Sequence, residues 1–394
     1  MRTELYRSYA LRFVDSLATN TLVFALPLMI YSATNSLTWS GAAFLIEWLP
    51  RLLSLPVAGV LVDKVGPRRI FIATNLVRAA VLLGTAPIMM MRPGWWPLFI
   101  GIAVINGIAG QLSFVAAEHL GVSVRSEKAR HEVQSVQVSI DQTVTVLGPL
   151  LAGALIIVSA PTVLTAVGLM ALTSVFAART LQVHGAIQTK SLSVRRGFLE
   201  GVSVIASSRT LQYVIAGTVA FNLLLAFITV MTPAIVKGRF AGTDTDVTLL
   251  WAVGAVASIV AVALASRLIR RGGIVRIGAI AGCLASVAIA CASMAHSLVA
   301  YVICVALFIA MDGVYAVYIR TARAKIVPLE QFGVTVGVIV LLSIIPFPLA
   351  GLLVAVIAPS ALSVVLVGCT VLCLVVTILS YIKIDASLLA SEKV

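Results

Sequence analysis

Charge is the scarcest feature of this sequence. Of its 394 residues only 11% are charged, and 15 acids stand against 28 lysines and arginines. A water-soluble domain usually carries about a quarter charged residues, so this chain cannot clothe itself in a hydrated surface. Histidine is nearly absent, with four residues. The five cysteines, Cys283, Cys291, Cys304, Cys369 and Cys373, all fall in apolar stretches of the second half and show no metal-ligand spacing to histidine. They read as small packing residues, which sets aside a disulfide framework or a zinc module. No Walker loop, Gly-x-Ser-x-Gly elbow or paired zinc motif is present, and no long polar stretch could fold into a catalytic domain. An enzyme and a directly ATP-driven pump are both excluded, and no cofactor is expected.

What the chain has instead is hydrocarbon. Hydrophobic residues make up 60% of it, and the mean hydropathy is +1.09. The apolar runs are near 20 residues long, the length of a helical span rather than of an alternating barrel strand. Twelve spans are expected, at about 9–31, 38–62, 70–91, 97–119, 133–158, 161–181, 210–236, 247–269, 274–294, 297–319, 331–357 and 361–382. The first run carries Asp15 and no small-residue cleavage site follows it, so it is expected to remain as a spanning helix. The longest gap divides the chain into an N-terminal six-helix bundle (1–181), a linker (182–209) and a C-terminal six-helix bundle (210–394). Within the linker, Phe198, Leu199, Val202 and Ile205 recur at helical spacing beside Arg195, Arg196 and Glu200, the pattern of a short amphipathic helix on a membrane surface. The halves also repeat weakly. Pro149-Leu150-Leu151-Ala152-Gly153 answers Pro348-Leu349-Ala350-Gly351, and Ala160-Pro161 answers Ala358-Pro359.

The formal net charge of +13 is topogenic rather than a footprint of nucleic acid. Taken in alternation, one set of loops and termini holds 23 of the 28 basic residues, and the other holds only Arg92, Lys237 and Arg239; Arg51 and Arg78 lie inside spans. Basic loops stay in the cytoplasm, so both termini are expected there. The expected setting is a bacterial inner membrane.

Charged side chains inside a bilayer are costly and face a cavity or a partner. They are few here. Asp15 lies in span 1 and Asp141 in span 5, while Glu118 ends span 4 beside His119; these three acids are candidate proton carriers. Glu47 and Arg51, at i and i+4 in span 2, can pair on one helix face, next to the helix-weakening Pro50 and Pro56. Asn20, Arg78, Asn222, Asp312 and Tyr315 are candidates to line a substrate cavity. All the buried acids except Asp312 sit in the first half, so ion coupling is expected there.

One charged turn stands out between two apolar runs: Gly59-Val60-Leu61-Val62-Asp63-Lys64-Val65-Gly66-Pro67-Arg68-Arg69-Ile70. In spacing, sign and turn residues it resembles the loop 2–3 signature of the major facilitator superfamily, Gly-x-Leu-x-Asp-Arg/Lys-x-Gly-x-Arg-Arg. The resemblance implies twelve helices in two bundles, alternating access, and a gating latch at the inner face made by Asp63, Lys64, Arg68 and Arg69. The stretch Glu47-Trp48-Leu49-Pro50-Arg51, with Arg12-Phe13, Ala25-Leu26-Pro27-Leu28, Arg78, Leu199-Glu200-Gly201, Asn222 and Arg320-Thr321, is similar to the enterobactin-exporter-like branch. That branch implies proton-coupled efflux of a small amphipathic molecule, a siderophore, metallophore or drug, by a monomer whose partners are its cargo, protons and the lipid bilayer. Two departures stand against it. Thr19-Asn20 replaces a Gly-Asp pair common in span 1, and Ala103-Val104-Ile105-Asn106-Gly107 lacks the arginine common in span 4 of drug antiporters. A ferroportin-like divalent-metal transporter is the alternative, with Asp15, Asn20, His119 and Asn222 as conceivable oxygen and nitrogen donors. No resident metal site is expected.

Overall fold

The structure, a computed structural model, describes residues 2–92, 94–123, 130–181, 194–327 and 332–384. Every regular element among them is helical: α1 (Arg2–Thr34), α2 (Leu37–Val65), α3 (Pro67–Met91), α4 (Leu98–Ser123), α5 (Arg130–Val158), α6 (Ala160–Thr180), α7 (Val194–Ser207), α8 (Arg209–Ala234), α9 (Asp244–Gly272), α10 (Ile274–Ser293), α11 (Leu298–Ile326), α12 (Phe332–Ile344), α13 (Pro346–Val356) and α14 (Pro359–Lys383). A π-helical turn, Ile235–Arg239, continues α8. Among the described residues, twelve stretches are long and apolar enough to cross a bilayer. In lipid a spanning segment must satisfy its own backbone, which is why these apolar runs are helices.

Local chemistry sets the ends. Ser36, Ser159, Ser208 and Ser297 each accept a backbone N–H from the first turn of α2, α6, α8 and α11. Thr243 and Asp246 form a reciprocal capping box at the start of α9. The motif glycine Gly66 separates α2 from α3 with φ at +97°, and Gly273 separates α9 from α10 with φ at +78°. Both are left-handed turns that a side chain resists, placed at the same point in each half. The boundaries differ from the sequence expectation in two ways. Several helices run past the hydrocarbon, α1 from Arg2 and α9 to Gly272, because a helix can continue on polar residues once nucleated. Span 11 is two helices with a break at Ile345, since Pro346 and Pro348 supply no N–H to the carbonyls one turn back.

The chain folds as two compact units, Met1–Ser191 and Leu192–Val394. In the first, α1 packs on α5 and α6, α2 on α4, and α3 on α4 and α6. In the second, α8 packs on α13 and α14, α9 on α11, and α10 on α11 and α14. The pairing is the same in both units, as a parallel repeat requires. Packing between spans relies on close approach rather than on expulsion of water. Gly107 of α4 lies against the backbone carbonyl of Glu47 on α2, where a Cβ would have no room. Leu53, Val57, Val256 and Val364 are among the apolar side chains left exposed. The short α7 sits with Gly197 and Gly201 on Val334 and Val338 of α12, and leaves Phe198 and Leu199 exposed.

Candidate functional site

The first unit holds a buried polar network drawn from four helices. Its hub is Arg78 on α3, 1% exposed. One terminal nitrogen, Nη1, donates to Asp15 Oδ1 on α1 at 2.9 Å and to Asn75 Oδ1 at 3.2 Å; Nη2 donates to Thr19 Oγ1 at 2.9 Å and Nε to Asn106 Oδ1 on α4 at 3.2 Å. Asp15 completes its shell with Ser113 Oγ at 2.9 Å, and that hydroxyl also accepts from Asn75 Nδ2 at 2.7 Å. Each partner of Arg78 is an acceptor that the guanidinium fork can reach without distortion, the condition for keeping a charge out of water.

Asn106 extends the network to α2. Its Nδ2 donates to Glu47 Oε1 at 3.1 Å. Glu47 is fully buried, and its Oε1 lies 3.8 Å from Arg51 Nη2, an ion pair without a hydrogen bond. Arg51 stacks over the Trp48 ring at 4.6 Å. Asp15, Glu47, Arg51 and Arg78 therefore form a quartet with two formal charges of each sign.

A second ion pair joins α1 to α5. Arg12 grips Asp141 with both faces of its fork, Nη2 to Oδ2 at 2.7 Å and Nε to Oδ1 at 3.2 Å, and lies over the Phe114 ring at 4.5 Å. Arg12 is buried, whereas the Asp141 side chain is 27% exposed. Glu118 stands apart: it is exposed near the end of α4, and its backbone carbonyl accepts from Gln137 Nε2. At the charged turn, Arg68 donates Nε to the Ala178 carbonyl at 3.0 Å and Nη2 to the Arg179 carbonyl, so it caps the C-terminal end of α6. Lys64 and Arg69 are exposed, and the side chain of Asp63 lies outside the described residues. Asn20 donates to the Ser16 carbonyl at 2.9 Å.

The second unit is different in kind. Asp312, in the middle of α11, is half-buried and makes no hydrogen bond or ion pair among the described residues. It shares a helix face with Phe308 and Tyr315, at i−4 and i+3. Phe221 of α8 stacks on both rings, at 5.4 and 4.6 Å between centroids. Asn222, beside Phe221, donates to the Ser343 carbonyl at 2.8 Å, one residue before the end of α12.

A profile of the Major Facilitator Superfamily matches residues 9–343. The chain belongs to this superfamily of transporters. An uncharacterized MFS-type transporter of Sinorhizobium fredii is 26% identical over 270 residues, 66% of this chain and 65% of the relative. An uncharacterized MFS-type transporter of Mycobacterium tuberculosis is 33% identical over 100 residues, 25% of this chain and 22% of the relative. The chain thus aligns with less than two thirds of the length of either relative. Among solved structures, the nucleoside transporter NupG superposes with a TM-score of 0.71 at 11% identity, over 96% of this chain and 99% of that one. A bacterial homologue of the iron transporter ferroportin, in an inward-facing state, gives 0.67 at 16% identity, over 97% and 99%. These likenesses establish the MFS fold. With twelve apolar helices among the described residues and this family, the protein is an integral membrane member of the superfamily.

Several members of the MFS chain's polar network carry no site role in the sequence reading. Asn75, Asn106 and Ser113 carry the hydrogen bonds between the charges, and Arg12 holds Asp141. The available signal was amide side chains in the middle of apolar spans, where an unpartnered amide is expensive.

Proposed function

We propose that this MFS member is a secondary active exporter that works by alternating access and couples efflux of a small amphipathic molecule, of the siderophore, metallophore or drug class, to proton influx. Asp312 carries the reading. A mid-span carboxylate with no hydrogen bond or ion pair, facing only the more distant Arg320 on its own helix, takes its partner from water or cargo, and a proton is the smallest such partner. Asp15 and Asp141 already hold guanidinium groups, so the proton is assigned first to Asp312. Resemblance to the enterobactin-exporter-like branch supports the export direction, and the 23-to-3 asymmetry of basic residues supports cytoplasmic termini in a bacterial plasma membrane. The exposed Lys64 and Arg69 are assigned, with Asp63, to gating at the inner face.

The test is transport in sealed proteoliposomes under an imposed pH gradient, with a catecholate siderophore and a lipophilic cation as cargoes. Asp312→Asn is expected to lose gradient-driven accumulation and to keep cargo exchange at equal pH. Undiminished accumulation by Asp312→Asn would overturn the assignment. Gradient-independent uptake of radioactive iron(II) would favour divalent-metal transport in place of organic export. For that reading the candidate donors are already committed in part: Asp15 serves Arg78 and Ser113, and the Asn20 amide serves Ser16.

A further inference from the structure

The quartet in the first unit has one loose member. Glu47 is fully buried in α2, yet its Oε2 has no hydrogen-bond partner among the described residues, and neither do Arg51 Nε and Nη2. Its neighbour Asp15 has both oxygens hydrogen-bonded, to Arg78 and Ser113. The two carboxylates thus share one network but are held very differently. A buried carboxylate keeps its charge only while opposite charge and donors surround it, and an orphaned oxygen forfeits much of that support.

The charged groups facing Glu47 are Arg51 on its own helix, at 3.8 Å, and Arg78 on α3, which reaches it through Asn106. Behind Arg78 stands Asp15 on α1. From α4 come the Asn106 amide and the Gly107 backbone packed on the Glu47 carbonyl. The surroundings therefore fix one oxygen and the backbone, and leave the second oxygen open.

We propose that Glu47 is a proton-binding site separate from Asp312. A proton taken from water bonds to Oε2 and converts the carboxylate to a neutral acid. Oε1 keeps its hydrogen bond from Asn106, so the acid stays in place. Arg51 keeps its own proton and loses its counter-charge, and the quartet passes from neutral to a formal charge of +1. Released from Glu47, the Arg51 guanidinium shifts against the Trp48 ring on which it lies. The site is independent of the cargo and of the direction of transport proposed above.

Two readouts on the full chain in liposomes test it. In pH-difference infrared spectra, a protonated-carboxyl stretch is expected in Asp312→Asn, where the Asp312 acid is gone, and is expected to be lost in Asp312→Asn/Glu47→Gln. In a variant with Trp39, Trp95, Trp96 and Trp251 changed to phenylalanine, Trp48 emission is expected to titrate in a single step that vanishes in Glu47→Gln. Arg51→Gln should abolish the emission step and, in Asp312→Asn, change the pH at which the carboxyl band appears, because it removes both the reporter's cation and the nearest charge that holds Glu47 ionised. No band in Asp312→Asn, a band that survives Asp312→Asn/Glu47→Gln, or an emission step that survives Glu47→Gln would overturn the proposal. If Glu47→Gln does not fold, Asp312→Asn and Asp312→Asn/Arg51→Gln decide together: a carboxyl band that Arg51→Gln leaves at the same pH would overturn it.

Discussion

Removing Arg78 tests whether the first unit is held by its buried charges. Arg78→Met keeps an apolar stem of similar length and deletes four hydrogen bonds, to Asp15, Asn75, Thr19 and Asn106. Asp15 is 2% exposed, so water cannot replace the lost cation. Breaking a buried pair from one side costs about 3–5 kcal/mol. For a cooperative unit of the size of Met1–Ser191, that lowers the unfolding temperature by roughly 6–20 °C. Arg12→Met is the matched control. It deletes a shorter ion pair, but Asp141 is 27% exposed, and solvent takes over much of its charge, leaving about 1 kcal/mol. Thermal unfolding in detergent, followed by intrinsic fluorescence, gives both numbers. The double variant Asp15→Asn/Arg78→Met should recover part of the loss, because the stranded charge is gone. An Arg12→Met loss as large as that of Arg78→Met would refute the reasoning, as would a double variant no better than the sum of its parts.

Three further outcomes follow from the packing. Gly107→Ala should destabilise by about 1–3 kcal/mol through forced separation of α2 and α4, while Gly84→Ala, whose Cβ would meet nothing within 4 Å, should be neutral or stabilising by about 0.5–1 kcal/mol; paired melting curves decide it. Gly66→Ala places a side chain at φ +97° and should cost about 1–2 kcal/mol, measured as the shift in the same transition. Gly201→Leu should lift α7 off Val334 and Val338, seen as faster amide hydrogen exchange in 194–207 with α8 unchanged.

The helical fold was legible because a bilayer allows few alternatives: twenty apolar residues in a row, with punctuation by serine, glycine and proline, leave little else to form. The break at Ile345 was also written in the chain, in Pro346 and Pro348, but a hydropathy window runs straight across it. The pairings were a different matter. Arg12 and Asp141 are 129 positions apart, and only the docking of α1 on α5 joins them. Asp15 read as a free acid because Arg78 lies two helices away in sequence and next to it in space. Glu47 and Arg51 share one helix face, which made their proximity readable; the missing hydrogen bond between them depends on how Asn106 draws the carboxylate aside.

Charge balance in the quartet bears on voltage. A group with two charges of each sign gains or loses no electrical energy when it moves as a body through the field across a membrane. Each uncompensated charge carried through the whole field exchanges about 2.3 kcal/mol per 100 mV. The first unit can therefore change its shape with little regard to membrane potential while Asp15, Glu47, Arg51 and Arg78 are all ionised. One bound proton is enough to make the same movement do electrical work.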